Sequence, residues 1–218
     1  MAAPVTAAYT PFSTKLREST RDVHERAHNS AFMDALFGSR LALPAYASLV
    51  AQYHFIYQAI EEASDAHAGD PVGGAFVFDE LRRVPALAAD LEFFLGPGWA
   101  GRIEPVPATL DYVRRIRTVA FDWPGGYVAH HYTRYLGDLA GGQAVRGLLA
   151  RTYGVEGPGA LFYHFDLESV PAFRKRYRGL LDEAPWDEAE RQRIVTETLV
   201  AFEFNVAVLA DLAAEAGA

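Results

Sequence analysis

Cysteine is absent from all 218 residues of this chain. That absence excludes disulfides, zinc–thiolate sites, iron–sulfur clusters and any other thiolate-held metal centre in one step. It agrees with a reducing cytoplasm, the compartment expected here. Positive charge is short as well: 20 Lys and Arg stand against 28 Asp and Glu, for a net charge of −8. Such a chain is a poor match for a polyanion, so no nucleic-acid partner is expected. Long apolar runs are missing. None approaches the ~18 residues that cross a membrane, and MAAPVTAAYTPFSTK has neither a basic start nor an apolar centre, so neither signal peptide nor membrane association is expected. Alternating strand patterns, internal repeats, G-x-G-x-x-G and phosphate-binding loops are also lacking. What remains is 50% hydrophobic, ample for a core.

The periodicity is helical throughout. A polar helix following Ser13 carries Leu16, Val23 and Ala27. Pro44 opens a longer one with Tyr46, Leu49, Tyr53, Ile56 and Ile60 at steps of three and four, ended by a break at Asp70–Gly74. Shorter helices are expected near Phe78–Arg83 and Ala86–Leu95, closed by Gly96-Pro97-Gly98. Thr109–Phe121 comes next. Pro124-Gly125-Gly126 then leads into a long glycine-containing helix ending near Gly154. A short basic helix spans Pro171–Leu181, and the last, from about Asp187, repeats Val195, Leu199, Phe202, Val206 and Leu209 as one buried stripe. This predicts an all-α, single-domain helical bundle over residues 13–218, preceded by a disordered segment at 1–12.

Within it, YTRYLGDLAGGQAVRG carries the most information. Gly137, Gly141 and Gly142 fall inside one strong helix, and each mid-helix glycine costs on the order of 1 kcal/mol relative to alanine. Their spacing strips one face and lets something flat lie against bare backbone, or lets another helix pack tightly. Asp138 lies beside that face, with Arg134 one turn before it in ion-pair reach. A second motif is literal: His24-Glu25-Arg26-Ala27-His28 matches H-E-x-x-H, the two-ligand signature of zinc proteases. The third ligand such an enzyme needs is missing. Asn29–Asp34 lacks the metzincin continuation, and Leu43–Gln52 contains no acid.

HERAHNSAFM after TRDV, and VAHHYTRYLGDLAGGQ, together resemble the haem oxygenase family. The similarity continues through ALAADLEFFLGPGW, TLDYVRRI and FRKRYR to AFEFNVAV, so it spans about Leu16 to Leu209. The resemblance implies a bundle with haem b, at once substrate and cofactor, between a proximal N-terminal helix and a kinked distal one. It implies His24 as the iron ligand. It places the distal backbone at Gly137, Gly141 and Gly142, and a distal water network at Asp138, Arg134 and Tyr57. Arg17, Arg174, Arg178 and Tyr132 are the implied partners of the two propionates, and Phe202 and Asn205 match positions lining the distal side. Arginine suits the propionates because it can grip a carboxylate with two parallel hydrogen bonds.

By this resemblance the reaction turns haem, dioxygen and electrons into biliverdin, carbon monoxide and ferrous iron. Its chemistry calls for a distal pocket without a strong acid or base directly against the bound oxygen. The chain has no flavin-binding segment, so a ferredoxin- or flavodoxin-type protein is the expected electron donor, and the chain itself is expected to be a monomer. Arg114, Arg115 and Arg117 on one helix, with Arg174, Lys175, Arg176 and Arg178 on another and Arg17 near the haem edge, predict a basic patch that steers it. One departure stands out: where the family commonly has glutamate four residues after the ligand, this chain has His28. A neutral imidazole accepts a proton less well than a carboxylate, which weakens the iron–histidine bond and leaves a second ligand one turn away. A haem carrier or sensor without turnover, and a haem-free thiaminase-like bundle, are the alternative functions.

Overall fold

The structure is a computed structural model, and it describes residues 10–218. Its helices are α1 (Phe12–Ser19), α2 (Arg21–His28), α3 (Ala31–Phe37), α4 (Leu43–Ala66), α5 (Val84–Leu95), α6 (Pro107–Val119), α7 (Pro124–His131), α8 (Gly137–Leu148), α9 (Val170–Glu183) and α10 (Glu188–Ala216). No strand occurs among the described residues, so the all-α expectation is met. The predicted disordered segment lies mostly outside the described residues. Phe12, expected within it, instead opens α1 and is 1% exposed, its ring edge-on to Trp186. Ser13 fastens the same turn to α9, donating from its backbone N–H and its hydroxyl to Asp182 at 2.7 and 2.9 Å.

Two long helices organise the bundle. The predicted stripe on α4 is buried in full, from Tyr46 to Ile60, and Pro44 stands in its first turn, where no N–H is needed. On α10 the predicted stripe is only half of the story. Val195, Phe202 and Leu209 are buried, whereas Leu199 and Val206 are half-buried. Ile194, Ala201, Val208 and Leu212 are buried as well, because α10 packs against α2, α3, α6 and α7 and so presents apolar residues on several sides.

Other expectations shift in ways that matter for the cleft. The N-terminal polar helix breaks at Thr20, whose hydroxyl donates back to the Leu16 carbonyl at 2.9 Å. Short 3₁₀ turns at Gly73–Phe76 and Asp79–Leu81 replace the helix expected near Phe78–Arg83. The pattern did not predict α3, whose seven residues are capped by the Ser30 hydroxyl. The long glycine-containing helix ends at Gly154 as expected, in the left-handed conformation with φ +65°. It is interrupted by π-helical turns at Tyr132–Leu136 and Leu149–Tyr153. The first lies immediately before Gly137, where a change of helical register re-aims the side chains that follow.

Candidate active site

A cleft runs between α2, the α7–α8 segment and α10. It consists of two adjoining cavities of about 320 and 280 Å³ that share His24, Thr133, Gly137, Ala140 and Phe202. One wall is α2, which turns both His24 and His28 into the larger cavity. The His24 ring stands edge-on to Phe202 at 6.0 Å, and His28 lies 5.8 Å from Phe37 of α3. Both histidines are exposed.

The opposite wall is the glycine face. A methyl group built on Gly137 or on Gly141 would meet nothing within 4 Å, so both open onto the cleft. Gly142 differs. It borders the larger cavity, but a methyl there would lie 2.9 Å from Cδ1 of Tyr163 and 3.2 Å from its Cβ. Its bareness is required by tight packing on Tyr163, the second of the two uses that the glycine spacing allowed.

Behind this wall sits a polar cluster. Asp138 borders the cavity with its side chain 12% exposed. It accepts a short hydrogen bond from the Tyr57 hydroxyl and lies 3.4 Å from the Arg134 guanidinium. Tyr57 is fully buried and lines neither cavity, so it reaches the cleft only through Asp138. Arg134 also donates to the Asn205 side-chain oxygen at 2.5 Å and stacks over the Tyr53 ring at 4.2 Å. Burial opposes the charge on Arg134, but Asp138 and the surrounding phenols outweigh it, so the guanidinium holds its proton firmly. Burial raises the Asp138 carboxyl above the usual range, with Arg134 and Tyr57 pulling it back. The result is a carboxyl that takes and returns a proton more readily than an exposed aspartate does.

At the other end, the smaller cavity gathers Arg17, Thr20, Tyr132, Arg174 and Arg178. Among the described residues no carboxylate lies within 4 Å of Arg17, Arg174 or Arg178, and Nε of Arg174 is buried without a partner. Burial raises the Tyr132 phenol while these three arginines draw it down, which records how closely they surround it. The broader basic patch does not form as expected. Arg114, Arg115 and Arg117 of α6 pair with Asp111, Glu197 and Glu62, and none borders the cleft. Arg176 likewise pairs with Glu80 at 2.7 Å.

Several lining residues escaped sequence reasoning. Tyr53 was within reach of it, one turn before Tyr57 on the α4 stripe. Tyr163 sits in an aperiodic connection, and Met33 and Phe37 sit on the unpredicted α3, so neither group carried a signal.

An all-α bundle with a slot between a histidine-bearing helix and a bare glycine face, flanked at one end by arginines, defines a protein for a flat ligand with negative groups along one edge. The comparisons with known proteins agree. The family model described as heme oxygenase matches residues 10–211. Heme oxygenase 2 of Synechocystis sp. is 36% identical over 208 residues, covering 93% of this chain and 83% of that protein. Heme oxygenase 1 of Nostoc sp. is 36% identical over 202 residues, covering 92% and 85%. Among solved structures, heme oxygenase-1 from Synechocystis sp. in complex with heme has a TM-score of 0.90 at 33% identity and covers 94% of both chains. Heme oxygenase from Leptospira interrogans follows at 0.88 and 34% identity, covering 92% of this chain and 99% of that one. This chain belongs to the heme oxygenase family. It is an enzyme of haem degradation, and no helix among the described residues is long and apolar enough to cross a membrane.

Proposed function

We propose that the chain binds haem b flat against Gly137 and Gly141, with His24 as axial iron ligand, and opens it to biliverdin, carbon monoxide and ferrous iron. One observation carries this reading. Opposite an exposed imidazole lies a helix face where added side-chain atoms would meet only open space, and the slot between them ends at three arginines without carboxylate partners. The buried, unpartnered Nε of Arg174 is what a propionate oxygen would satisfy. The residues present therefore fit the group.

Bound there, haem supplies both the iron that activates dioxygen and the porphyrin edge that is oxidised. The protein's part is positioning and proton supply. Gly137 and Gly141 let the plane approach the backbone and leave room for a small ligand to tilt along it. Arg17, Arg174, Arg178 and Tyr132 fix the rotation of the ring by holding its propionates. Asp138 stands beside the glycine face, anchored by Tyr57 and Arg134 and largely shielded from water. It orients water and relays a proton without pressing an acid directly onto the iron's ligand. Asn205 and Tyr53 hold Arg134, and through it Asp138, in place.

Electrons come from a separate ferredoxin- or flavodoxin-type protein, which Arg17, Arg174 and Arg178 attract to the cleft mouth. The chain works as a monomer in the cytoplasm, where its lack of cysteine is no handicap. Haemin titration followed by a reductant in air tests the reading. A Soret band that decays to a green product is the expected result. A band that persists under reduction would leave only a carrier, and no band at all would overturn the proposal.

A further inference from the structure

Tyr177 and His131 form a fully buried pair that the haem site does not use. The Tyr177 hydroxyl lies 2.9 Å from Nδ1 of His131, and the rings are nearly parallel, 10° apart. Neither borders the cleft. Burial holds the His131 imidazole neutral, its pKa pushed down to about 3, so a ring nitrogen is free to accept the phenolic proton. The pair is joined to the cleft by aromatic rings in succession. His131 lies 4.3 Å from Tyr135, Tyr135 lies 5.1 Å from Tyr57, and Tyr57 is hydrogen-bonded to Asp138 on the cleft wall. A second route is shorter still, since Tyr132, which borders the cleft, lies 6.5 Å from Tyr177.

From this geometry we infer that Tyr177, with His131 as its proton acceptor, is a one-electron donor that protects the haem cleft against peroxide. A phenol is hard to oxidise unless its proton leaves with the electron, and a hydrogen-bonded neutral imidazole takes that proton without any movement of heavy atoms. Tyr57 has an acceptor too, but a radical there would stand one hydrogen bond from Asp138 on the cleft wall, whereas Tyr177 lies further from it. Tyr177 is 0% exposed and holds the hole away from both substrate and solvent.

The step balances as follows. Hydrogen peroxide takes two electrons and two protons and leaves as two waters; the protons come from solvent through the open cleft, one electron comes from bound haem and one from Tyr177. The Tyr177 O–H bond breaks, its proton forms a bond to Nδ1 of His131, and its electron passes through Tyr135 and Tyr57, or through Tyr132, to the cleft. Two electrons, one at a time, from the same donor that drives haem degradation later restore the haem and the phenol, and the proton returns from the imidazole.

The inference rests on haem occupying the cleft, so the Soret band of each sample is recorded first. A missing band would refute the haem reading itself, separately from this one. Haem-loaded protein is then mixed with hydrogen peroxide, frozen rapidly and examined by electron paramagnetic resonance. We expect a tyrosyl radical in the native protein that is mostly lost in Tyr177→Phe, where Tyr57 and Tyr132 are instead oxidised, as mass spectrometry would show. His131→Gln, which keeps an acceptor, should retain more of the radical than His131→Leu. Native protein carrying nitrogen-15 histidine removes any dependence on variants folding: the radical should couple to an exchangeable proton shared with an imidazole nitrogen. A normal Soret band with an undiminished radical in Tyr177→Phe would overturn the inference, and so would a native radical without imidazole coupling.

Discussion

The two neighbouring glycines Gly141 and Gly142 should respond in opposite ways to the same added methyl group. At Gly141 the methyl enters open space, with no atom within 4 Å. Replacing a mid-helix glycine by alanine there removes unfolded-state freedom and should stabilise the haem-free protein by about 0.5–1 kcal/mol. For a chain of this length that raises Tm by about 2–4 °C per kcal/mol. The same methyl then stands where the proposed function lays haem. If forcing a rigid plane away costs what overpacking costs in a core, about 1–3 kcal/mol, haem binds about 5- to 150-fold more weakly. At Gly142 the methyl instead meets Tyr163 at 2.9 and 3.2 Å. The second of those contacts is to Cβ of a side chain that is 4% exposed, so it cannot swing aside. Overpacking of about 1–3 kcal/mol exceeds the helix gain, and Tm should fall by a few degrees with haem affinity largely kept. Thermal melts of haem-free protein and haemin titrations of both variants decide the matter. A destabilised Gly141→Ala, or a Gly142→Ala that keeps its stability but loses haem, would show that the two faces have been assigned the wrong way round.

Four further outcomes are expected. His24→Ala should lose the iron–histidine stretch in resonance Raman of the ferrous protein and nearly all turnover, while His28→Ala keeps both; the reverse pattern would move the ligand to His28. Asp138→Ala should bind haem normally but release more hydrogen peroxide and less biliverdin per dioxygen consumed, and native yield at the native rate would remove Asp138 from proton supply. Arg178→Ala should weaken haem binding by about tenfold, the loss of a charge-assisted hydrogen bond of about 1.5–3 kcal/mol with part of it recovered by Arg17 and Arg174; it should also flatten the salt dependence of ferredoxin-driven turnover, and unchanged affinity would place the propionates elsewhere. Acid should unfold the protein in two windows. His131 stays unprotonated in the fold down to about pH 3 yet takes a proton in the unfolded chain below about pH 6.5, so stability falls with decreasing pH across that interval by up to 1.36 kcal/mol per pH unit. Glu197 has a folded pKa of about 2; burial alone would raise it, but His130 and Arg115 together pull it down, so its contribution is present above about pH 4.5 and lost toward pH 2. Urea melts of His131→Phe between pH 4 and 6 should show a slope smaller by about one proton, and an unchanged slope would mean that His131 titrates normally.

Local pattern was enough for what local physics controls. Helix existence follows from apolar steps of three and four, and the α4 stripe was legible residue by residue because it is one continuous buried face. The glycines of α8 and the spacing of Arg134 and Asp138 announced a bare helix face with an ion pair beside it, and the long motif tied that face to a family. What the sequence could not decide were matters of which partner arrives from far along the chain. Gly141 and Gly142 read alike until Tyr163 folds back onto only one of them. The arginines of α6 and α9 looked like one basic surface, but α6 packs on α4 and α10, where Glu62 and Glu197 wait, and among the described residues the cluster at Arg17, Arg174 and Arg178 stays without carboxylates. Tyr57 reads as a core tyrosine or a network tyrosine, and its hydrogen bond to Asp138, 81 residues away, makes it both. His131 and Tyr177 carried no signal at all, since a phenol and an imidazole 46 residues apart become a pair only when α7 and α9 meet. Periodicity follows from the backbone's own geometry and is written in neighbouring residues, whereas side-chain partnership depends on closing long loops, and only the assembled bundle fixes which groups then stand within 3 Å of one another.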